Sequence, residues 1–224
     1  MKTRILAAAL VASTVVCAMP AAAQVNGVAV TDPAIALAGS QALQTGFSQI
    51  ATTFASVRTQ LETLQTQRAG LVRQFDTNND GQISDTEEAA AQANTAAMQQ
   101  IQGVEAQINQ VQQPIAAARV YVVEQLLMQY NTALQQVVSQ NNVQLVLNPS
   151  SVVYLGNSVD ITDKVTAALN TLVPAVSTAV PAGWQPQRQS VAVYQEVSDV
   201  LLAAAQQQAA AQQQAAPTQP VQGR

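Results

Sequence analysis

From Phe47 onward the apolar side chains fall at Phe47, Ile50, Phe54, Val57, Leu61 and Leu64, skip Arg68, and resume at Leu71 and Phe75. These alternating steps of three and four residues are a heptad seam with one charged interruption. Beyond a polar stretch the alternation returns at Ala90, Asn94, Ala97, Ile101, Val104, Ile108, Val111, Ile115, Ala118 and Val122. Two helices with such seams, joined by a short loop, predict an antiparallel hairpin, because each seam needs a partner and the nearest is its neighbour. With about 28 residues on each side, the rise per residue gives an arm of roughly 40 Å. An ordinary helical-bundle core is the plainer reading of the same pattern. Pro114 removes a backbone donor and crowds the preceding turn, which predicts a kink and the junction of arm and body near it.

Strand patterns flank the seams. Val25 to Thr31 is a short apolar run, and Asp32-Pro33 after it reads as a helix cap with proline at the first helical position. Val143 to Leu147 and Val152 to Tyr154 read as a second and third strand, turned by Asn148-Pro149-Ser150. Asp160 to Leu169 then opens a short amphipathic helix. The expected fold class is α+β, mainly α: a long coiled-coil helical hairpin, residues 47–114, projecting from a small β-sheet body, residues 24–46 and 115–173. A sheet of so few strands cannot bury its own faces and edges, so the body is expected to oligomerise.

Composition alters this picture at both ends. Lys2 and Arg4, the apolar run Ile5 to Met19 and Ala21-Ala22-Ala23 form a secretory signal, residues 1–23, cleaved after Ala23. The apolar run is too short for a membrane span, and the expected destination is the periplasm. Cys17 falls inside this leader, and Thr14-Val15-Val16 before it lacks the small residues of a lipidation site, so the mature chain is expected to be free of disulfides. Of the 9 basic residues two leave with the leader, so 7 face 13 acidic ones. That balance disfavours nucleic acid as a partner. The chain has no histidine, and no nucleophile–base constellation can be assembled, so an enzyme is not expected. From Pro174 the chain turns Ala/Gln/Pro-rich, and residues 174–224 are expected to be a flexible tail, with Trp184 as a local packing anchor and a helix from Ser190 carrying Val191, Tyr194, Val197 and Leu201 on one side; a docking segment for a partner is the alternative.

One segment carries specific chemistry. Residues 76–87 read Asp76-Thr-Asn78-Asn-Asp80-Gly81-Gln82-Ile83-Ser84-Asp85-Thr-Glu87, the spacing of an EF-hand-type calcium loop. Asp76, Asn78 and Asp80 supply side-chain oxygens, Gln82 its backbone carbonyl, Ser84 a hydroxyl or a bridging water, and Glu87 both carboxylate oxygens. Gly81 permits the sharp turn, and Ile83 is expected to point inward. A polar turn explains Asn79-Asp80-Gly81 but not Glu87 at its distance. No second loop is present to pair with it, so affinity is expected on the order of 10⁻⁴ M. The cofactor expected is Ca²⁺, at the tip of the arm.

The chain resembles the Skp/OmpH family of periplasmic chaperones. Three segments carry the resemblance: the signal with the Val28-Ala-Val-Thr-Asp32 strand opening, the long heptad hairpin, and Leu145-Val-Leu-Asn-Pro-Ser-Ser-Val-Val-Tyr154 leading to Val159-Asp160-Ile161-Thr162. The resemblance implies a homotrimer whose arms enclose a cavity for unfolded outer-membrane proteins, with neither ATP nor catalysis. Two features depart from it. Residues 47–113 carry Arg58, Arg68 and Arg73 against Glu62, Asp76, Asp80, Asp85, Glu87, Glu88 and Glu105, where family arms are commonly basic, which makes lipopolysaccharide contact doubtful. The calcium loop is not a usual family feature. A calcium-binding structural or interaction protein of the cell envelope, without client holding, is the alternative.

Overall fold

A computed structural model of the chain describes residues 27–154, 156 and 159–215; the expected leader, with its expected cleavage site and Cys17, lies outside them. The described residues are mainly helical with one two-stranded sheet. In chain order the elements are β1 (Val28–Val30), α1 (Pro33–Ala38), α2 (Gln41–Thr53), α3 (Ala55–Arg73), α4 (Asp85–Ala93), α5 (Thr95–Gln140), β2 (Leu145–Leu147), α6 (Thr162–Leu172) and α7 (Arg188–Ala215).

β1 and β2 pair in parallel, Val28 against Leu145 and Val30 against Leu147. Parallel partners need a long crossover, and here the whole helical region between them supplies it. The other edge of β1 is met by an isolated bridge from Val30 to Asp160, with the Ile161 N–H donating to the Val30 carbonyl. The expected third strand at Val152–Tyr154 is therefore corrected. Asn148 caps a 3-10 turn over Pro149–Ser151, and Val153 and Tyr154 after it lie exposed and unpaired. Their β-forming composition finds no neighbouring edge, and strand preference is decided by such partners.

The core lies where α1, α2, α6, α7 and the C-terminal part of α5 meet. Leu37, Leu43, Ile50, Leu126, Leu169 and Val197 are almost wholly enclosed there. Asp32 caps α1 by accepting from the Ile35 N–H, and Ser40 does the same for α2 from Leu43. Gly46 is where a linker crosses: a Cβ there would meet Val176 at 3.0 Å and Val122 at 3.3 Å.

That crossing belongs to the region expected to be a flexible tail. Instead Gln125 and the Ser177 backbone exchange two hydrogen bonds, the Trp184 indole N–H donates to Glu124 at 3.0 Å, and the same ring meets Tyr121 edge-on with centroids 5.3 Å apart. α7 then packs against α1 and α5, burying Ser190 and Val197. Only from Leu202 to Gln213 is the helix exposed on every side. Of the stripe read from the sequence, Tyr194, Val197 and Leu201 pack against the core together with Val193 and Val200, and this is sufficient to dock the start of the helix.

α3 lies alongside α5. Arg119 sits over Phe47 of α2 and Arg68 of α3 bonds Glu105, so the α2–α3 run and α5 pass in opposite directions. Two seam readings change. Asn94 is not a seam residue: its side chain accepts from the Ala97 N–H and starts α5, the local competition that makes Asn a cap. The run from Phe47 is broken at Phe54, between α2 and α3, beside Gln112 and Ile115 of the 46-residue α5 that also contains Pro114.

Candidate metal-binding loop

The loop between α3 and α4 is organised around its carboxylates. Asp76 is buried, its Oδ1 accepting from the Asp80 N–H and its Oδ2 from the Gly81 N–H at 2.9 Å. Asn78 turns onto Asp80, its Nδ2 donating to Oδ2 at 2.8 Å and its Oδ1 accepting from the Asp80 N–H. Asp80 Oδ1 accepts from the Gln82 N–H at 2.7 Å. Asn79 and Gly81 take the left-handed backbone, φ 55° and 81°, which Asn tolerates and Gly adopts without penalty.

Glu87 closes the loop. It stands in the first turn of α4, which Ser84 begins. Oε1 accepts from the Thr77 N–H and hydroxyl, and Oε2 from the Ser84 N–H and hydroxyl, all between 2.7 and 3.0 Å. One side chain thereby ties the start of the loop to its end. The Ser84 N–H foremost, then the Thr77 and Ser84 hydroxyls and the Thr77 N–H, lower its pKa from 4.5 to about 2. Each donor favours the charged form.

Of the six expected ligands, Asp76, Asn78 and Asp80 are drawn together, and Ser84 and Glu87 form a separate clasp. Gln82 enters through its N–H. Among the described residues no group of three or more acidic, His or Cys side chains is gathered as a ligand set, because the carboxylate oxygens are spent on loop donors. The donor set is nonetheless all hard oxygen, on a backbone turned at Asn79 and Gly81, which suits calcium chemistry. Ile83 is 39% exposed rather than inward; without a second loop there is nothing for it to pack against.

A second buried carboxylate escaped the sequence reading. Burial pushes the Glu124 carboxyl up, but hydrogen bonds from Trp184, Ser190 and Gln187 outweigh it and hold it below its ordinary value. A lone acid within the apolar run Val120 to Met128 was the available signal.

Comparison with known proteins supplies the class. The family model described as Outer membrane protein (OmpH-like) matches residues 27–169, well over half of the chain. The chain belongs to that OmpH-like family. Among solved structures, an OmpH-like protein from Caulobacter crescentus CB15, named for an outer-membrane chaperone role, is 21% identical over 67% of this chain and 88% of its own, with a TM-score of 0.42. A likeness at that level carries no weight for the arrangement of the chain. No curated protein matches it. Residues 170–215, including Trp184 and α7, lie beyond the family match.

Proposed function

We propose that the protein is an ATP-independent holdase chaperone of the periplasm, a homotrimer whose coiled-coil arms hold unfolded outer-membrane proteins between them. The observation that carries this reading is family membership over residues 27–169. The antiparallel pairing of α3 and α5 supports it, since most of the seam is only half-buried and leaves apolar surface for weak, adaptable contacts with a client. Leu145, Val153 and Tyr154 are exposed beside a two-stranded sheet, a surface suited to cover by a second and third chain. No helix among the described residues is long and apolar enough to cross a membrane. Such a role needs no catalytic residue.

In this proposal loop 76–87 takes up Ca²⁺. Asp76, Asn78, Asp80, the Gln82 carbonyl, Ser84 and Glu87 would hold the ion, which would offset the acidic cluster and join the Asp80 side of the loop to the Glu87 clasp. The deciding experiment is suppression of aggregation of an unfolded outer-membrane barrel protein, run with calcium and again with chelator, beside sedimentation of the purified protein. A trimer that suppresses aggregation is the expected result. No suppression would leave the calcium-binding envelope protein as the better reading, and equal suppression in both conditions would remove calcium from the mechanism.

A further inference from the structure

Where α2 gives way to α3, a cavity of about 300 Å³ opens between these helices, α5 and α7. Its walls include Ile50, Phe54, Leu61 and Tyr194, and two cations, Arg58 and Arg119. No carboxylate is among its lining residues. The setting is unusual in a chain with 13 acidic and 9 basic residues: two of the few cations share one apolar cleft, whereas Arg68 has its acid partner.

Arg119 is the informative group. Its Nε is shielded from solvent and has no hydrogen-bond partner, although buried donors are almost always satisfied. Its guanidinium lies 5.8 Å above the Phe47 ring, which holds the plane by cation–π attraction but offers no acceptor to the N–H. A guanidinium held in this way at a cavity wall is suited to a carboxylate, which its terminal N–H groups, rather than the shielded Nε, would meet. The remaining lining suits an apolar body, and the volume, at the lower end of the roughly 300–1,000 Å³ of ligand clefts, limits it to a short one. Tyr194 comes from α7, beyond the family match, so the docked C-terminal helix completes the cleft.

We infer that this cleft binds a small amphipathic carboxylate, its head on Arg119 and Arg58 and its short acyl or aromatic body against Ile50, Phe54, Leu61 and Tyr194. The probe is decanoate, titrated calorimetrically into the full chain below its micellar concentration, with decanol as body without charge and acetate as head without body. Decanoate is expected to bind saturably at one per chain, at least about tenfold tighter than either comparator. Arg119→Gln is expected to weaken it about tenfold or more, and Arg119→Lys, which keeps the charge and guards against a folding defect, to weaken it less. Ala51→Leu narrows the cleft while leaving both cations, and should weaken decanoate as well. Equal binding of decanol and decanoate, or unchanged affinity in Arg119→Gln or in Ala51→Leu, would overturn the inference. None of these readouts involves client holding or calcium, so the outcome is separable from the proposed chaperone role.

Discussion

In the base of the molecule Leu37, Leu126 and Leu169 are fully enclosed, and helices from both ends of the chain close over them. Along α3 and the facing half of α5, only Leu64, Ile101 and Val104 are buried, and Val57, Leu61, Leu71, Ile108 and Val111 remain half-covered. The two regions draw on the same residue types. They differ in how many elements meet: five in the base, two beyond Phe54. A seam of two helices shields one stripe of each, so burial follows the number of neighbours rather than the hydrophobicity of the sequence. Local opening is expected to concentrate where few buried apolar contacts hold the backbone.

Truncation inside each region measures that contrast, and the largest effect is expected at the base. Leu126→Ala removes an enclosed side chain from a site braced by several helices and should cost about 2–5 kcal/mol of unfolding free energy. Leu64→Ala, in the two-helix seam, should fall at or below the low end of that range, because solvent and neighbouring side chains can relax into the gap. Urea unfolding of both variants decides; equal losses would erase the distinction between the regions.

Next in size is the strap that closes the base. Trp184→Phe keeps the ring against Tyr121 but removes the donor to Glu124, leaving a buried carboxylate short of one partner, a loss of about 1–3 kcal/mol. The expected sign is release of residues 174–201 to proteolysis and faster amide exchange there, with α3 and α4 unchanged. If cleavage in that segment matched the unmodified protein, the indole would be packing alone.

The third effect is confined to the loop. Glu87 has its pKa lowered from 4.5 to about 2, so its clasp contributes stability that is complete above the ordinary carboxylate value and is lost as pH falls toward 2. Exchange of the Thr77 and Ser84 amides should therefore be slow at neutral pH and accelerate across that acid window. Glu87→Gln should flatten the pH profile while leaving the base unfolding transition in place.

How far these features were legible depends on whether their cause was local. The Asp32 cap, the turn at Asn79–Gly81, the antiparallel course of the seams and the mainly helical class all follow from short-range chemistry, and the first strand lies within the run where it was expected. Val152–Tyr154 has strand-like residues, yet the edge it needed is met by Asp160, a choice made by the tertiary arrangement. The stripe at the start of α7 was legible at Tyr194, Val197 and Leu201, but not that it docks on α1 and α5 of the same chain, because a stripe names no partner. At the loop the sequence placed the carboxylates and the turn, but the engagement of those carboxylates with loop N–H groups was not readable, since spacing gives no information about which partner a carboxylate takes. Arg119 and Glu124 were missed for a related reason: each is conspicuous only once the helix or strap covering it is in place.

The smallest effect belongs to the charged interruption of the seam. Arg68 Nε meets Glu105 Oε1 at 2.8 Å, with the two side chains 47% and 41% exposed. An exposed pair gains little from attraction through water and must immobilise two long side chains, so a double-mutant cycle with Arg68→Ala and Glu105→Ala should give a coupling of about 0–1 kcal/mol, falling further at high salt. The interruption then serves alignment rather than strength: a charged pair at one level of the seam penalises sliding of α3 past α5, because a shift by one heptad would take Arg68 from Glu105 to Met98 or Gln112, neither of which is an acid. The double alanine variant should keep its unfolding midpoint but show greater variation in helix–helix distance, measured by spin labels on exposed positions of α3 and α5. A coupling well above 1 kcal/mol would instead make the pair a principal fastener of the two helices, and the contrast with the base would lose its footing.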